Sequence, residues 1–559
     1  MKIHFRLLSD FFLIALGACL LAGWLSYWEQ FFSPYQDKVD IDLSLLNLPR
    51  YTFYSLSRGL LAYFLSLLFS LVWGFWAAKD RIAEKAVIPL LDVLQSIPFL
   101  GFLPGIILLL IGFFQKREVG LELAAIFLIF TAQVWNMAFG VYHAIKTVPT
   151  EKNECASSYR FSGWERAKWI ELPFSMLSLV WNSIMSMAGG WFFLMVNESF
   201  KLGDRDFRIP GLGSYMSVAA GKGDGMAMFY AIVAMFALIL FLDQLLWRPL
   251  VVWSQKFRIE ETGPPIVSES WFLNILKSSY IIALFRASLY KLGQFMQNRK
   301  SKTRDFVRKW LPIAISRIAL GTLAALLMLA AYSIFRLLIP VRIEQWVHLF
   351  QMMFLTLGRV FVCVFISTCL ALPLGLAVGL SEKWSRVLEP LMQIGASFPA
   401  TLLFPILVLA FKLAHIPLGI GSIILMLMGT QWYILFNVIA GAKAMPSDLR
   451  EVASSFRFSR NNRFRWLYFP SLFPYLITGV ITASAGAWNA SIVSEYVTYQ
   501  DKVWTTPGLG STISLAAQNN DYSLLAASIF VMVIVVALLN LQVWLRLYHY
   551  SEKRYALNA

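Results

Sequence analysis

The segment 154–173, ECASSYRFSGWERAKWIELP, returns as 451–470, EVASSFRFSRNNRFRWLYFP. Both copies keep Glu, then Ala two residues on, then Ser-Ser, an aromatic residue, Arg, Phe and Ser, and both end in Pro; the step between them is 297 residues. The same step brings Trp135 onto Trp432, Lys146 onto Lys443, Trp191 onto Trp488 and Glu198 onto Glu495. It also brings Pro210-Gly211-Leu212-Gly213 onto Pro507-Gly508-Leu509-Gly510. Further upstream the step is 301, with Arg58 on Arg359, Gly74 on Gly375, and Pro89, Pro98 and Pro104 on Pro390, Pro399 and Pro405. The change of register is best placed in a loop near 115–120, where insertions are tolerated. A unit of roughly 200 residues is therefore present twice, and the fold must place two equivalent copies.

Each repeated segment is polar and basic and lies between long apolar runs. Hydrophobic residues make up 58% of the 559-residue chain, charged residues only 14%, and the mean hydropathy is +0.63. A soluble chain this apolar could not cover its own surface. The chain is expected to be an all-α polytopic membrane protein. Its net charge of +16 fits basic loops on the inner side of a membrane. Nucleic-acid binding is excluded because no basic, base-stacking domain stands apart from the apolar runs. Cys19, Cys155, Cys363 and Cys369 show no disulfide framework, and the five histidines are scattered, so neither a metal nor a cofactor is expected.

Runs near 11–28, 53–78, 86–113, 121–145, 173–197 and 226–247 are each long enough to span a bilayer. Six more lie near 312–338, 350–380, 388–413, 418–441, 471–494 and 522–546, giving twelve in all. The first run is too long and aromatic for a signal peptide, and is read as a retained span. Lys79, Arg81 and Lys85, then Lys146, Lys152, Arg160, Arg166 and Lys168, mark inner loops. With six spans per copy, both repeated segments face the cytoplasm, as do both termini. The copies are then parallel repeats about an axis along the membrane normal. The expected organisation is a first half at 1–250 with its repeat core at 51–250, a linker at 251–310, and a second half at 311–559 with its core at 350–550. The linker carries Lys256, Arg258, Lys277, Arg286, Lys291 and the cluster 299–302; its most apolar piece is too short to span, so amphipathic helices on the inner leaflet are expected.

The repeated segment resembles the "EAA" motif of ABC importer permeases, Glu-Ala-Ala, three residues, Gly, nine residues, Ile-x-Leu-Pro. Glu154, Ala156, Ile170, Leu172 and Pro173 match in the first copy, and Glu451, Ala453 and Pro470 in the second. The motif Gly is replaced by Arg160 and by Arg457. The stretches AGGWFFLMVNE and AGAWNASIVSE, each followed by PGLG, resemble the nitrate/sulfonate/taurine branch of those permeases. The resemblance implies a type I importer permease fold, duplicated in one chain. It also implies a coupling helix in each repeated segment that docks on an ATPase subunit, two such subunits, a periplasmic or lipid-anchored substrate-binding protein, and location in a bacterial inner membrane. The implied cargo is a small anion of the nitrate, sulfonate, taurine or bicarbonate type.

Within that frame, Arg160 and Arg457 reach either acidic groups on the ATPase or lipid phosphates. Arg58 with Glu198, and Arg359 with Glu495, are expected to form two equivalent pairs beside an outer gate; the competing reading is that they snorkel to the interface. Trp191, Trp488, Asn197 and Asn489 are candidates for the path lining, with helix packing the competing role of the tryptophans. Each Pro-Gly is expected to form a type II turn. No phosphate-binding Gly-x-x-x-x-Gly-Lys-Ser/Thr loop occurs, so the chain is expected to be a transport subunit without its own ATP site. A secondary transporter with parallel repeats is the rival reading. It calls for coupling carboxylates in mid-span, and Asp92 and Asp243 are unmatched between the copies.

Overall fold

The computed structural model describes residues 2–34, 39–114, 118–202, 205–257, 270–284, 287–288, 305–445, 447–500 and 502–555. The first half runs α1 (Lys2–Phe31), α2 (Leu48–Lys79), α3 (Arg81–Ser96), α4 (Leu103–Phe113), α5 (Val119–Lys146), α6 (Thr150–Ser158), α7 (Gly163–Glu198), α8 (Leu212–Lys222) and α9 (Gly225–Phe257). A short helix, α10 (Trp271–Ser278), follows. The second half runs α11 (Asp305–Leu338), α12 (Ile343–Gly379), α13 (Glu382–Ser397), α14 (Ala400–Leu413), α15 (Leu418–Ala444), α16 (Ser447–Ser455), α17 (Arg460–Ser494), α18 (Leu509–Gln518) and α19 (Tyr522–Ser551).

Ten of these helices are long and apolar enough to cross a membrane by themselves. The expected continuous spans at 86–113 and 388–413 are instead broken. Between α13 and α14 the chain turns by 82°, and α3 and α4 are separated by a 3-10 turn at Phe99–Phe102. The cause is local. Ile97 precedes Pro98 and Phe398 precedes Pro399, and both take extended backbone (ψ 130° and 126°), because a residue before proline is pushed out of the helical region. Asp80 and Ser381 restart the chain as N-caps of α3 and α13, accepting backbone N–H bonds of the first turn.

The bends bring the Phe99–Phe102 turn and α14 against the opposite half as well as their own. Leu402, Phe404 and Val408 of α14 are buried in the core of the first half, with Tyr54, Ile184 and Leu212. Leu100, Leu103 and Ile107 lie in a core shared with Ile492 and Ile529 of the second half. A hairpin of Tyr496–Tyr499 with Lys502–Thr505 makes a further crossing. At its tip the Gln500 N–H donates to the Ala220 carbonyl at the end of α8 (3.2 Å), and Tyr499 is buried in the first half's core. The two halves therefore form one body with exchanged parts.

The extra helices leading each half are placed differently. α1 packs Tyr27 and Phe31 onto α2, and α10 joins it through Ser279 Oγ, which donates to Asp10 Oδ1 (2.5 Å). Beyond Ser316 α11 is almost wholly exposed, yet the Ser316 hydroxyl donates to Asp80 of the first half (2.5 Å). That bond, followed by the N–H groups of Ile82 and Ala83, holds the Asp80 carboxyl below the usual carboxylate range. Much of the basic linker expected at 251–310, including Arg258, Arg286, Lys291 and 299–302, lies outside the described residues, as does part of the register change near 115–120.

Candidate functional site: two exposed segments, two charge clusters and an axial cavity

The repeated segments fold alike. In α6 and α16, Glu154 and Glu451 are exposed, while Ala156 and Ala453 are 2% and 3% exposed. In the second copy Ala453 packs with Met445 and Leu467. Each helix ends in the same reversal. Phe161 N–H donates to Ala156 O and Arg160 N–H to Ser157 O; Phe458 and Arg457 repeat this with Ala453 and Ser454. The reversal needs a left-handed residue, and it falls on Arg160 (φ 52°) and Arg457 (φ 48°). These are the two positions where the motif has glycine, so each arginine occupies a conformation that costs a side chain about 1 kcal/mol. Tyr159 and Phe456 beside them are 75% and 73% exposed, and Trp169 and Trp466 are 61% and 68% exposed.

Pro173 and Pro470 then enter the first turn of the long α-helical parts of α7 and α17. Just before each, the helix widens to a π turn, at Ala167–Glu171 and Phe464–Tyr468. Proline lacks the N–H that would continue the ordinary ladder. The repeat keeps the device in its last helices too, at Asp243–Trp247 and Asn540–Trp544, and in α19 it does so without a proline, since Arg546 stands where the first half has Pro249. The helix ends of the first half nearest α6 are tied together by Lys79 to Glu171 and by Lys146 to Glu84, both at 2.8 Å. Lys443 to Glu389 at 2.5 Å ties the second.

At the other end of α7 and α17 lie the charge clusters. Arg58 is fully buried. Its Nη1 donates to Glu198 Oε1, and its Nε and Nη2 grip both oxygens of Glu122, all at 2.6 Å. Tyr27 of α1 donates to Glu122 as well (3.0 Å). Glu198 also accepts from the Ser55 hydroxyl (2.7 Å) and from the Gly213 N–H (2.8 Å). In the second half Arg359 Nη1 donates to Glu495 Oε1 (2.7 Å), which also accepts from Thr356 (2.8 Å), while the Gly510 N–H donates to Oε2 (2.9 Å). Burial of Arg58 excludes snorkelling for that residue. The copies differ at one place: Gly419 stands where the first half has Glu122, and Arg359 turns its Nη2 to the Thr506 hydroxyl instead (3.0 Å).

These carboxylates explain the Pro-Gly-Leu-Gly segments. The expected type II turns are not formed: Gly211 (φ 178°) and Gly508 (φ 174°) are extended, a conformation open to any residue. Glycine is required for space. A Cβ on Gly211 would collide with the Glu198 carboxylate, and one on Gly508 with Glu495. On Gly213 it would lie 2.6 Å from the Met195 carbonyl.

Between the halves lie two cavities, of about 420 Å³ and about 140 Å³. Both are lined by matching positions of the two copies. Met195, Pro104 and Ala220 face the larger one together with Ile492, Pro405 and Ala517. Trp135, Ala188 and Gly189 face the smaller one with Trp432, Ala485 and Gly486. A two-fold axis that maps each cavity onto itself passes through both. The smaller cavity is near the middle of α5 and α15, and the larger is at the far ends of α7 and α17, so the axis runs along the helices. The copies are parallel, and α6 and α16 emerge at the same end. No charged side chain is among the described lining residues.

Asn489 lines the smaller cavity. Trp191 and Trp488 face neither cavity; both are buried, with Trp191 packed over Gly59. Asn197 is buried without a hydrogen-bond partner and lines neither cavity. Sequence reasoning missed Glu122, Ser55 and Thr356, Gln95, Asn136 and Tyr433. Glu122 carried a signal, being an acidic residue inside an apolar run, and Ser55 with Thr356 keeps a hydroxyl at matched positions.

Comparison with known proteins matches each half separately. The nitrate import permease protein of Leptolyngbya laminosa is 27% identical over 150 residues, 27% of this chain and 52% of that protein. The bicarbonate transport system permease protein of Synechococcus elongatus is 28% identical over 132 residues, 24% of this chain and 46% of that protein. The taurine transport system permease protein of Escherichia coli is 24% identical over 199 residues, 35% of this chain and 66% of that protein. The chain thus spans about half the length of the first two relatives. The family described as "Binding-protein-dependent transport system inner membrane component" matches residues 70–246 and again 369–556. With more than half of its length so matched, once in each half, the chain belongs to that family.

Proposed function

We propose that this chain is the complete pair of permease halves of an ATP-driven importer, carrying a small solute across a bacterial inner membrane by alternating access. One observation carries the reading. Two equivalent exposed helices, α6 and α16, stand at the same end of an axis that also threads both cavities. A dimeric ATPase that closes on ATP would pull both helices together and rock the halves about that axis. Glu154, Ala156, Arg160 and Pro173, with Glu451, Ala453, Arg457 and Pro470, form the two docking segments. Ala156 and Ala453 seat each helix on its own half, while the exposed arginines and the neighbouring Tyr159 and Phe456 meet the ATPase. The Arg58 and Arg359 clusters brace the outer end, where a substrate-binding protein delivers cargo. The relatives' names point to a small anion as the cargo class.

The test is capture of the ATPase from the native membrane. Purification of the chain should bring down an ATPase at two copies per permease. Arg160→Glu with Arg457→Glu should reduce that recovery at least about tenfold, the effect of losing roughly 1.4 kcal/mol. Undiminished recovery would remove the arginines from the docking surface, and absence of any ATPase would remove the importer reading.

A further inference from the structure

The smaller cavity sits on the axis, and its lining departs from two-fold symmetry at several matched positions, two of which exchange the same pair of chemistries. Phe192 of the first half corresponds to Asn489 of the second, and Asn136 of the first corresponds to Tyr433 of the second. Each matched pair thus consists of one aromatic ring and one amide, and each half contributes one of each. Two glycines open the space for the rings. Gly429 lies across from Phe192, with its absent Cβ 3.9 Å from the ring, and Gly486 lies under Tyr433, at 3.2 Å.

Some polar groups here are not used by the protein. The Gln95 and Asn136 amides and the Tyr433 hydroxyl belong to half-buried residues of the lining and hydrogen-bond to no described residue, and Asn489 Oδ1 is buried with no partner among the described residues. A buried acceptor such as Asn489 Oδ1 is ordinarily satisfied, so it awaits a ligand or water, and the other three groups are free to meet the same occupant. The volume, about 140 Å³, holds roughly ten water-sized occupants, more than a four-atom inorganic anion would fill. No lysine, arginine or histidine is among the described lining residues, and an anion stripped of water in a neutral cavity is strongly disfavoured.

Building on the importer reading, we propose that this cavity is the transit site for cargo, and that the cargo is a flat aromatic or heteroaromatic molecule of about ten non-hydrogen atoms with hydrogen-bonding groups on its edge. Phe192 and Tyr433 provide the stacking faces. Gln95, Asn136, Asn489 and the Tyr433 hydroxyl contact the edge. The two halves differ because the cargo has no two-fold symmetry.

Thermal unfolding of the full chain in lipid nanodiscs tests this with benzamide, nicotinamide and cytosine, all uncharged at neutral pH and without two-fold symmetry, as probes, against nitrate, bicarbonate and taurine. At millimolar concentration at least one aromatic probe should raise the midpoint by about 2 °C, and the other three should not. Asn136→Leu with Tyr433→Phe removes two of the free edge groups while keeping volume; it should abolish the shift. Gln95→Leu, a single change, should weaken it should the double variant fail to fold. Stabilisation by nitrate or bicarbonate, by none of the probes, or one that survives both variants, overturns the proposal. ATPase capture is a separate readout: if it succeeds while the probes fail, the importer reading stands and only this cargo assignment falls.

Discussion

At Gly211 and Gly508 the missing side chain makes room for a carboxylate. Substitution by alanine forces Glu198 or Glu495 away from Arg58 or Arg359, and should destabilise the protein by about 1–3 kcal/mol per site. Alanine at Gly225, which has open space around it, should be near neutral in the same thermal-unfolding measurement. Arg58 allows a sharper comparison. Arg58→Met leaves two buried carboxylates unpaired and should cost about 3–5 kcal/mol. Arg359→Met strands one, which keeps its bonds from Thr356 and Gly510, so its cost should be smaller. Equal losses would contradict the asymmetry introduced by Gly419. The two ion pairs were legible in the sequence as matched arginines and glutamates at span depth. Glu122 was not paired with them, because the second copy has Gly419 in its place and the repeat therefore gives no matched carboxylate to point to it.

At the level of elements, the docking helices carry an unusual cost. Arg160 and Arg457 occupy left-handed positions suited to glycine. Arg160→Gly with Arg457→Gly should therefore stabilise the fold, by about 0.5–1 kcal/mol per site after glycine's own entropy is counted. If their charge serves ATPase docking, the same variant should lose ATPase recovery even as its unfolding midpoint rises. The π turns make a second case. Because α19 widens without a proline, Pro173→Ala should leave the turn at Ala167–Glu171 in place and change stability by less than about 1 kcal/mol. A large loss would show that proline, not helix packing, holds the turn. The sequence pattern located both copies of the repeated segment, and the structure folds them alike as α6 and α16. The pattern did not foresee the breaks in the third apolar run of each half, although Pro98 and Pro399 were in view. Hydrophobic run length reports what is apolar, not which way it points.

For the whole molecule, the axis through the two cavities fixes both docking helices at one end. Cys155 is exposed on α6, and Val452, at the matched position of α16, is 49% exposed. A membrane-impermeant maleimide should label Cys155 only in inverted vesicles. In a Cys155→Ser, Val452→Cys chain it should label the new thiol from that same side. Labelling from opposite sides would contradict the parallel arrangement.

Duplication, membrane residence, the two repeated polar segments and the equivalence of the two halves are determined by the sequence alone, because each is carried by the order of residues along the chain: a repeat, an apolar run, a spacing. The tertiary structure decided what depends on neighbours distant in sequence. It set the Phe99–Phe102 turn and α14 against the opposite half as well as their own, gave Arg58 a second carboxylate, turned Trp191 and Trp488 away from the cavities, and brought Asn136, Phe192, Tyr433 and Asn489 around one space. Those outcomes follow from packing two bent, near-identical units against each other, and periodicity within either unit does not specify how its side chains meet the other.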